Sequence, residues 1–407
     1  MARLVLKFGG TSVADLERLE RVARRIKAEW GQGHELAVIV SAMAGQTNYL
    51  VNLVRSASAL ADLREYDVVV SSGEQVTSGL LAIILQRLGV PARSWMGWQL
   101  PVRTTVQHGS ARVEAIETAE LRRRFKEERQ VAVLAGFQGL ADDGRTTTLG
   151  RGGSDTSAVA LAAAIEADRC DIYTDVDGIY TSDPRIVAKA RKLERITYEE
   201  MLEMASLGAK VLQTRSVELA MKHRLCVQVR SSFEDRPGTL VVDEEEIVEQ
   251  AVVSGIAHSL DEAKVTLTRI PDRPGIAAAI FGPLADAAIN IDMIVQNISL
   301  DGEITDMTFT VSRGELDRAL MVLEKNRDTL RYESLERDDK VAKVSVVGVG
   351  MCSHAGVAQK MFTTLAEKGI NIQVITTSEI KISVLVAEDY LELALRALHS
   401  AYGLDAD

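Results

Sequence analysis

The sequence predicts an α/β protein: a sandwich around a largely parallel sheet, followed by two smaller βαββαβ units. Three observations carry this. Up to about residue 240, short apolar runs of strand character alternate with longer amphipathic stretches at helical spacing. Two glycine-rich turns, Lys7-Phe-Gly-Gly-Thr-Ser-Val13 and Thr148-Leu-Gly-Arg-Gly-Gly-Ser-Asp155, each precede a helical pattern, and the first follows the apolar run Leu4-Val-Leu6. Beyond residue 240 the chain repeats itself, with Gly275, Phe281 and Asn290 recurring as Gly356, Phe362 and Asn371, each 81 positions on.

In chain order, 4–6 reads as a buried strand, Gly9-Gly10 as a tight turn, and 13–22 as a helix whose start carries Thr11 and Ser12. Strands follow at 36–40, 131–136 and 170–174, and helices at 50–63, 78–88 and 154–167. After Pro237-Gly-Thr-Leu240 the acidic patch Asp243-Glu-Glu-Glu246 reads as a solvated approach to a domain boundary. Lys264-Val-Thr-Leu is echoed by Lys343-Val-Ser-Val, and the match keeps register across a strand, a helix and a second strand. The expected domains are 1–245, 246–340 and 341–407, with the strand at 252–257 free to join either repeat. Each repeat is small enough that packing against its twin would help to bury a core.

Composition narrows the function. The 407 residues, 46% hydrophobic and 26% charged, suit two or three ordinary domains. A net charge of −11 argues against the basic footprint of a nucleic-acid binder. Charge interrupts the first residues too early for a signal segment, and no apolar run approaches the roughly 20 residues a membrane span needs, so a cytoplasmic protein is expected. Cys170, Cys226 and Cys352 lack metal or redox spacing, and the six histidines form no HxxxH pair. Neither GxxxxGK[ST] nor GxGxxG is present, and Val347-Gly-Val-Gly350 reads as a strand end and turn. What remains are the two glycine turns, one with a Lys and the other with an Arg and an Asp. Exposed backbone N–H groups beside fixed cations are what a polyphosphate requires, and they point to phosphoryl transfer.

Six blocks, in order, carry a resemblance. They are the Lys7 turn, Ser41-Ala-Met-Ala-Gly-Gln-Thr-Asn48, Ser72-Gly-Glu74, Gly150-Arg-Gly-Gly-Ser-Asp155, Thr174-Asp-Val-Asp-Gly-Ile-Tyr-Thr-Ser-Asp-Pro-Arg185 and Gly208-Ala-Lys-Val-Leu212. With the C-terminal repeat, the chain resembles the aspartate kinases of the amino-acid kinase family, which carry tandem ACT domains. The resemblance implies the three-layer sandwich of amino-acid kinases followed by two ferredoxin-like ACT domains. It implies transfer of the ATP γ-phosphoryl group to the β-carboxylate of L-aspartate, the entry to lysine, threonine and methionine synthesis, with Mg2+ as cofactor. Lys7 and Asp155 take catalytic roles by this carry-over. Ser41, Thr47, Glu74, Arg151, Gly152, Gly153 and Ser154 would meet aspartate, and Lys7, Gly9, Gly10, Thr174, Asp175, Tyr180, Arg185 and Lys210 would meet ATP.

A carboxylate nucleophile needs no general base, since its reference pKa is near 3.9. It needs charge compensation and in-line placement. The planar fork of Arg151 suits the α-carboxylate of aspartate, and Glu74 suits the ammonium. Asp175-Val-Asp177-Gly178 lacks the spacing and closing Glu of a calcium loop, and no magnesium ligand can be named. The ACT match places end-product binding, by L-lysine, L-threonine or both, at Asp272, Asn290, Asp292 and Gln296 of the first repeat and at Asn371 and Ile372 of the second. The first copy looks the better site, and a homo-oligomer through the ACT domains is expected. Two alternatives stay open: a kinase of the same family with another carboxylate acceptor, and an inactive amino-acid sensor.

Overall fold

The computed structural model describes residues 1–207, 211–247, 252–298 and 303–405, and its chain divides into two compact units. One holds Met1–Ile179, Lys192–Ala205 and the described residues from 211 to 247; the other holds Tyr180–Arg191 and the described residues from 252 onward.

The first part of the chain runs β1 (Arg3–Phe8), α1 (Leu16–Gly31), β2 (Glu35–Val40), α2 (Gln46–Ala57), α3 (Leu63–Val70), α4 (Ser72–Arg87), β3 (Ala92–Trp95), β4 (Val102–Thr104), β5 (Val113–Ile116) and α5 (Ala119–Glu128). It continues through β6 (Val131–Ala135), β7 (Gln138–Leu140), β8 (Thr146–Thr148), α6 (Gly153–Ala164), β9 (Arg169–Thr174), β10 (Arg195–Thr197), α7 (Tyr198–Ser206), α8 (Thr214–Lys222), β11 (Val227–Ser231) and β12 (Thr239–Val242). The main sheet has the order β10-β12-β11-β9-β1-β2-β6-β3. The six strands from β11 to β3 run parallel, and β10 with β12 opposes them at one edge. Leu4–Phe8 and Leu36–Val40 are buried without alternation, as strands covered on both faces must be. Helix α6 begins with ten consecutive buried residues and so is an interior helix rather than an amphipathic one. A smaller sheet has the order β5-β4-β7-β8.

Two details depart from expectation. Thr11 and Ser12 lie in a single 3-10 turn, Gly10–Val13, and α1 begins only at Leu16, where the Asp15 side chain accepts from the Arg18 N–H. That carboxylate claims one of the first-turn N–H groups of α1. Where the sequence predicts helices at 50–63 and 78–88, α3 and α4 follow one another across a single turn residue, Ser71, so that Leu63–Arg87 is a near-continuous apolar stretch of 25 residues with a window mean hydropathy of 1.6. It matches a membrane span by length and composition, but 56% of that window is buried within the fold, and it carries the buried Asp67 and Glu74.

The second unit contains β13 (Gly255–Ser259), β14 (Ala263–Pro271), α9 (Ile276–Asp286), β15 (Asp292–Ile298), β16 (Ile304–Val311), α10 (Leu316–Lys325), α11 (Arg327–Leu330), β17 (Ser334–Asp338), β18 (Val341–Val347), α12 (Val357–Glu367), β19 (Val374–Thr377), β20 (Lys381–Ala387) and α13 (Leu391–Ala401). They make two antiparallel sheets, β15-β16-β14-β17 and β13-β18-β20-β19. The repeated glycines precede α9 and α12 in the left-handed region, with φ of 89° at Gly275 and 96° at Gly356, a conformation that favours glycine. Strand β13, although it precedes the first repeat, pairs with β18 and completes the sheet of the second, covering an edge that would otherwise be open.

The excursion Tyr180–Arg191 also belongs to this unit. Val187 joins the core of the second repeat, and Thr181 Oγ1 lies 2.8 Å from Nε2 of the fully buried His399, whose Nδ1 lies 2.9 Å from Asp405. The two repeats are pinned together by Lys343, 5% exposed, whose Nζ is 2.6 Å from both Glu262 and Asp292. Burial works against the Lys343 charge, but the two carboxylates outweigh it and raise the pKa. Lys343→Met is expected to destabilise this unit by about 3–5 kcal/mol, because it strands buried carboxylate charge. Urea denaturation against wild type measures this.

Candidate active site

The glycine turns meet at the carboxyl ends of β9, β1, β2 and β6, where a parallel sheet gathers ligands. Lys7, the penultimate residue of β1, is 9% exposed, and its Nζ is 2.5 Å from Oδ1 of Asp155, itself 8% exposed. By distance this is an ion pair, but that oxygen lacks the angular geometry of a hydrogen bond. Lys7 Nζ also lies 3.4 Å from where a Cβ on Gly9 would sit, so the ammonium borders the glycine turn. The Gly9 N–H donates to Tyr173 O at 3.3 Å, and the Ser41 N–H donates to Phe8 O at 3.1 Å, which fixes both neighbouring loops against the β1 turn. Gly10 abuts Ala42 O, since a Cβ there would approach it to 3.0 Å.

Ala42 leads in turn to Glu74 on α4. Its N–H donates to Glu74 Oε1 at 3.0 Å, while Oε2 of Glu74 is buried with no partner among the described residues. Glu74 is 3% exposed, and burial pushes its pKa up to about 7 in spite of the Ala42 N–H. An orphaned carboxylate oxygen in such a place is an acceptor without its donor.

Helices α2, which carries Thr47, and α6 begin after Gly45 and Gly152, and neither has a side-chain cap. Their first-turn N–H groups and the positive ends of their dipoles are thus not claimed by a capping side chain. Arg151, on the turn before α6, is exposed, and its side chain makes no ion pair or hydrogen bond among the described residues. It does not pair with Asp155. Gly152 has φ of 70°, and a Cβ there would meet Gln213 Cγ at 1.9 Å. Gly152→Ala is therefore expected to shift this turn and lower kcat/KM by roughly tenfold or more, with the fold retained by circular dichroism.

Of the other anticipated residues, Ser154 closes against Gly136, where a Cβ would come within 3.0 Å of Ser154 Oγ. Thr174 ends β9, Asp175 follows it, and the Thr174 hydroxyl donates to Asp175 Oδ1 at 3.1 Å. Tyr180 and Arg185 fall in the second unit, and Lys210 lies outside the described residues. Among the described residues no group of three or more His, Cys, Asp or Glu side chains is arranged to hold a metal.

In the second unit, Asp292 is engaged with Lys343, and Gln373 Oε1 accepts from Lys264 Nζ at 2.5 Å, so both serve contacts between the repeats. Asn290, Gln296 and Asn371 are exposed, Asp272 and Ile372 half-buried. An open recess of about 530 Å³ lies in the second repeat, lined by Met351, His354, Gly356, Thr377, Ser378 and Glu379.

Residues 2–231 match the model of the amino acid kinase family, and residues 264–328 and 344–402 each match an ACT domain. The aspartate kinase of Pseudomonas putida is 54% identical over 407 residues, covering 100% of this chain and 98% of its own length. The E. coli aspartokinase III structure in complex with aspartate and ADP (R-state) superposes with a TM-score of 0.80 at 29% identity, covering 98% of this chain and 99% of its own. The structure of that enzyme with lysine and aspartate (T-state) gives 0.77 at 30% identity, covering 98% of each chain. The chain belongs to the aspartate kinases of the amino acid kinase family, with two ACT domains behind the kinase sequence.

Proposed function

We propose that the chain transfers the γ-phosphoryl group of ATP to the β-carboxylate of L-aspartate, giving 4-phospho-L-aspartate and ADP. The observation that carries this is the buried Lys7–Asp155 pair, set between the Gly9-Gly10 turn and the start of α6. A β-carboxylate oxygen attacks the γ-phosphorus, the new O–P bond forms as the bond to the β-phosphate oxygen breaks, and the electron pair leaves with ADP. Lys7 Nζ offsets charge on the transferring group, with the Gly9 and Gly10 backbone beside it. Asp155 holds that ammonium in place. Arg151 takes the α-carboxylate through its fork, and the free Oε2 of Glu74 receives the α-ammonium. Ser41, Thr47 and Ser154 border the amino acid, and Thr174 and Asp175 border the nucleotide. Magnesium would arrive on the phosphates, which with water would supply its ligands. The described residues form no protein cage for it. Hydroxamate trapping with L-aspartate and MgATP tests the reaction: an acyl phosphate is expected, and ATP turnover without one would exclude it.

The second unit is read as regulatory, in a homo-oligomer. An amino-acid end product, lysine or threonine, would seat in a recess such as that between Gly356 and Glu379 and favour a less active conformation. The lysine complex of the E. coli enzyme supports this reading. Inhibition curves with each amino acid decide it, and no response to either, alone or together, refutes it.

A further inference from the structure

Asp67 on α3 is wholly buried, and nothing in the reaction uses it. A carboxylate out of water must be matched by donors, and this one has three sources. Thr148 Oγ1 donates to Oδ1 at 2.6 Å, the Gly109 N–H reaches both oxygens at 3.1 Å, and His108 Nδ1 lies 2.7 Å from Oδ2. Just past the C-terminal end of α3, Ser71 O accepts from the Gln138 side chain at 3.2 Å. Gln138 and Thr148 are direct partners across the β7–β8 hairpin. Asp67 on α3 and the Ser71 carbonyl at its end thus grip one rung of that hairpin.

What flanks this clamp gives it meaning. Three residues after Thr148 comes Arg151; three residues after Ser71 comes Glu74. The residues next to this rung are also held by Arg215 on α8, which donates to Leu149 O at 2.9 Å and to Ala111 O at 2.7 Å, while the Ala111 N–H donates to Thr148 O. Resting on the substrate roles given above to Arg151 and Glu74, we infer that Asp67 is a positioning residue that sets the span between the two groups reading the α-carboxylate and the α-ammonium of the amino acid. The clamp does not touch the Lys7–Gly9–Gly10 turn, so it acts on the amino acid and not on the nucleotide.

The test is steady-state kinetics on the full-length enzyme for Asp67→Asn, Thr148→Val, Thr148→Ser and Arg151→Ala, each with its thermal midpoint. Asp67→Asn and Thr148→Val are expected to raise KM for L-aspartate by roughly 10–100-fold. KM for ATP should stay within about twofold, and Thr148→Ser, which keeps the hydroxyl, should stay near wild type. Should Asp67→Asn fail to fold, the near-isosteric Thr148→Val against Thr148→Ser carries the same comparison. The inference is overturned if KM for both substrates moves together, if only stability falls, or if Thr148→Val behaves like Thr148→Ser. If Arg151→Ala leaves KM for aspartate unchanged, the substrate reading itself fails. If Arg151→Ala raises it while Asp67→Asn and Thr148→Val do not, only the positioning role fails.

Discussion

Lys7→Ala is expected to lower kcat by roughly 10²–10³-fold, the usual cost of removing one preorganised donor from the site of developing charge. The same change carries a second effect, which the burial of its partner makes plain. Asp155, 8% exposed, would be left as a buried charge without its cation, a loss of about 3–5 kcal/mol. Activity and stability should therefore fall together in Lys7→Ala and separate in Lys7→Ala/Asp155→Asn. The double variant, with the stranded charge removed, should regain most of the stability and none of the activity. Urea midpoints and hydroxamate rates, taken on the same preparations, read the two quantities. Near-wild-type turnover by a folded Lys7→Ala would remove the residue from the chemistry.

Glu74→Gln should act on the amino acid instead. With a pKa of about 7 set by burial, Glu74 is largely ionised at pH 8 and largely protonated at pH 6. The β-carboxylate of the substrate does not titrate in that interval. KM for L-aspartate should therefore be about tenfold higher at pH 6 than at pH 8, and Glu74→Gln should raise KM while flattening that profile. Stability of the unliganded enzyme runs the other way. The folded pKa lies above the unfolded value near 4.5, so the contribution of Glu74 is fully present below about 4.5 and is lost as pH rises through 7. Glu74→Gln should consequently stabilise the unliganded protein at pH 8, by on the order of 3 kcal/mol for the full shift. A variant that binds substrate worse but unfolds later separates a functional carboxylate from a structural one. A KM independent of pH in wild type would contradict the role.

The parts of this molecule that sequence exposes are those fixed by local pattern. Unalternated apolar runs mark β1 and β2, because parallel strands buried on both faces have no polar side to show. The two ACT repeats are visible because Gly275 and Gly356 begin α9 and α12 in the same left-handed turn. Lys7, Glu74, Arg151 and Asp155 stand out for their chemistry. The remainder depends on tertiary choice. Nothing local sends β13 past the whole first repeat to β18, or sets Tyr180–Arg191 into the second unit, where Thr181 meets His399. Asp67 carries no signal because its partners, His108, Gly109 and Thr148, are distant in the chain and follow no spacing rule. The delayed start of α1 reflects a competition that periodicity does not register, in which Asp15 caps the helix and leaves Thr11 and Ser12 in a separate turn.

We propose that one cleft at the carboxyl ends of β1, β2, β6 and β9 holds both reactants, with Lys7 on the phosphates and Arg151 and Glu74 on the amino acid. The most direct measurement is a crystal structure of the enzyme with ADP and L-aspartate bound together. The expected result has Lys7 Nζ within hydrogen-bond distance of a phosphate oxygen, the Arg151 fork on the α-carboxylate, Glu74 Oε2 on the ammonium and the β-carboxylate directed at the nucleotide. Aspartate bound away from Arg151 and Glu74, or phosphates out of reach of Lys7, would contradict it.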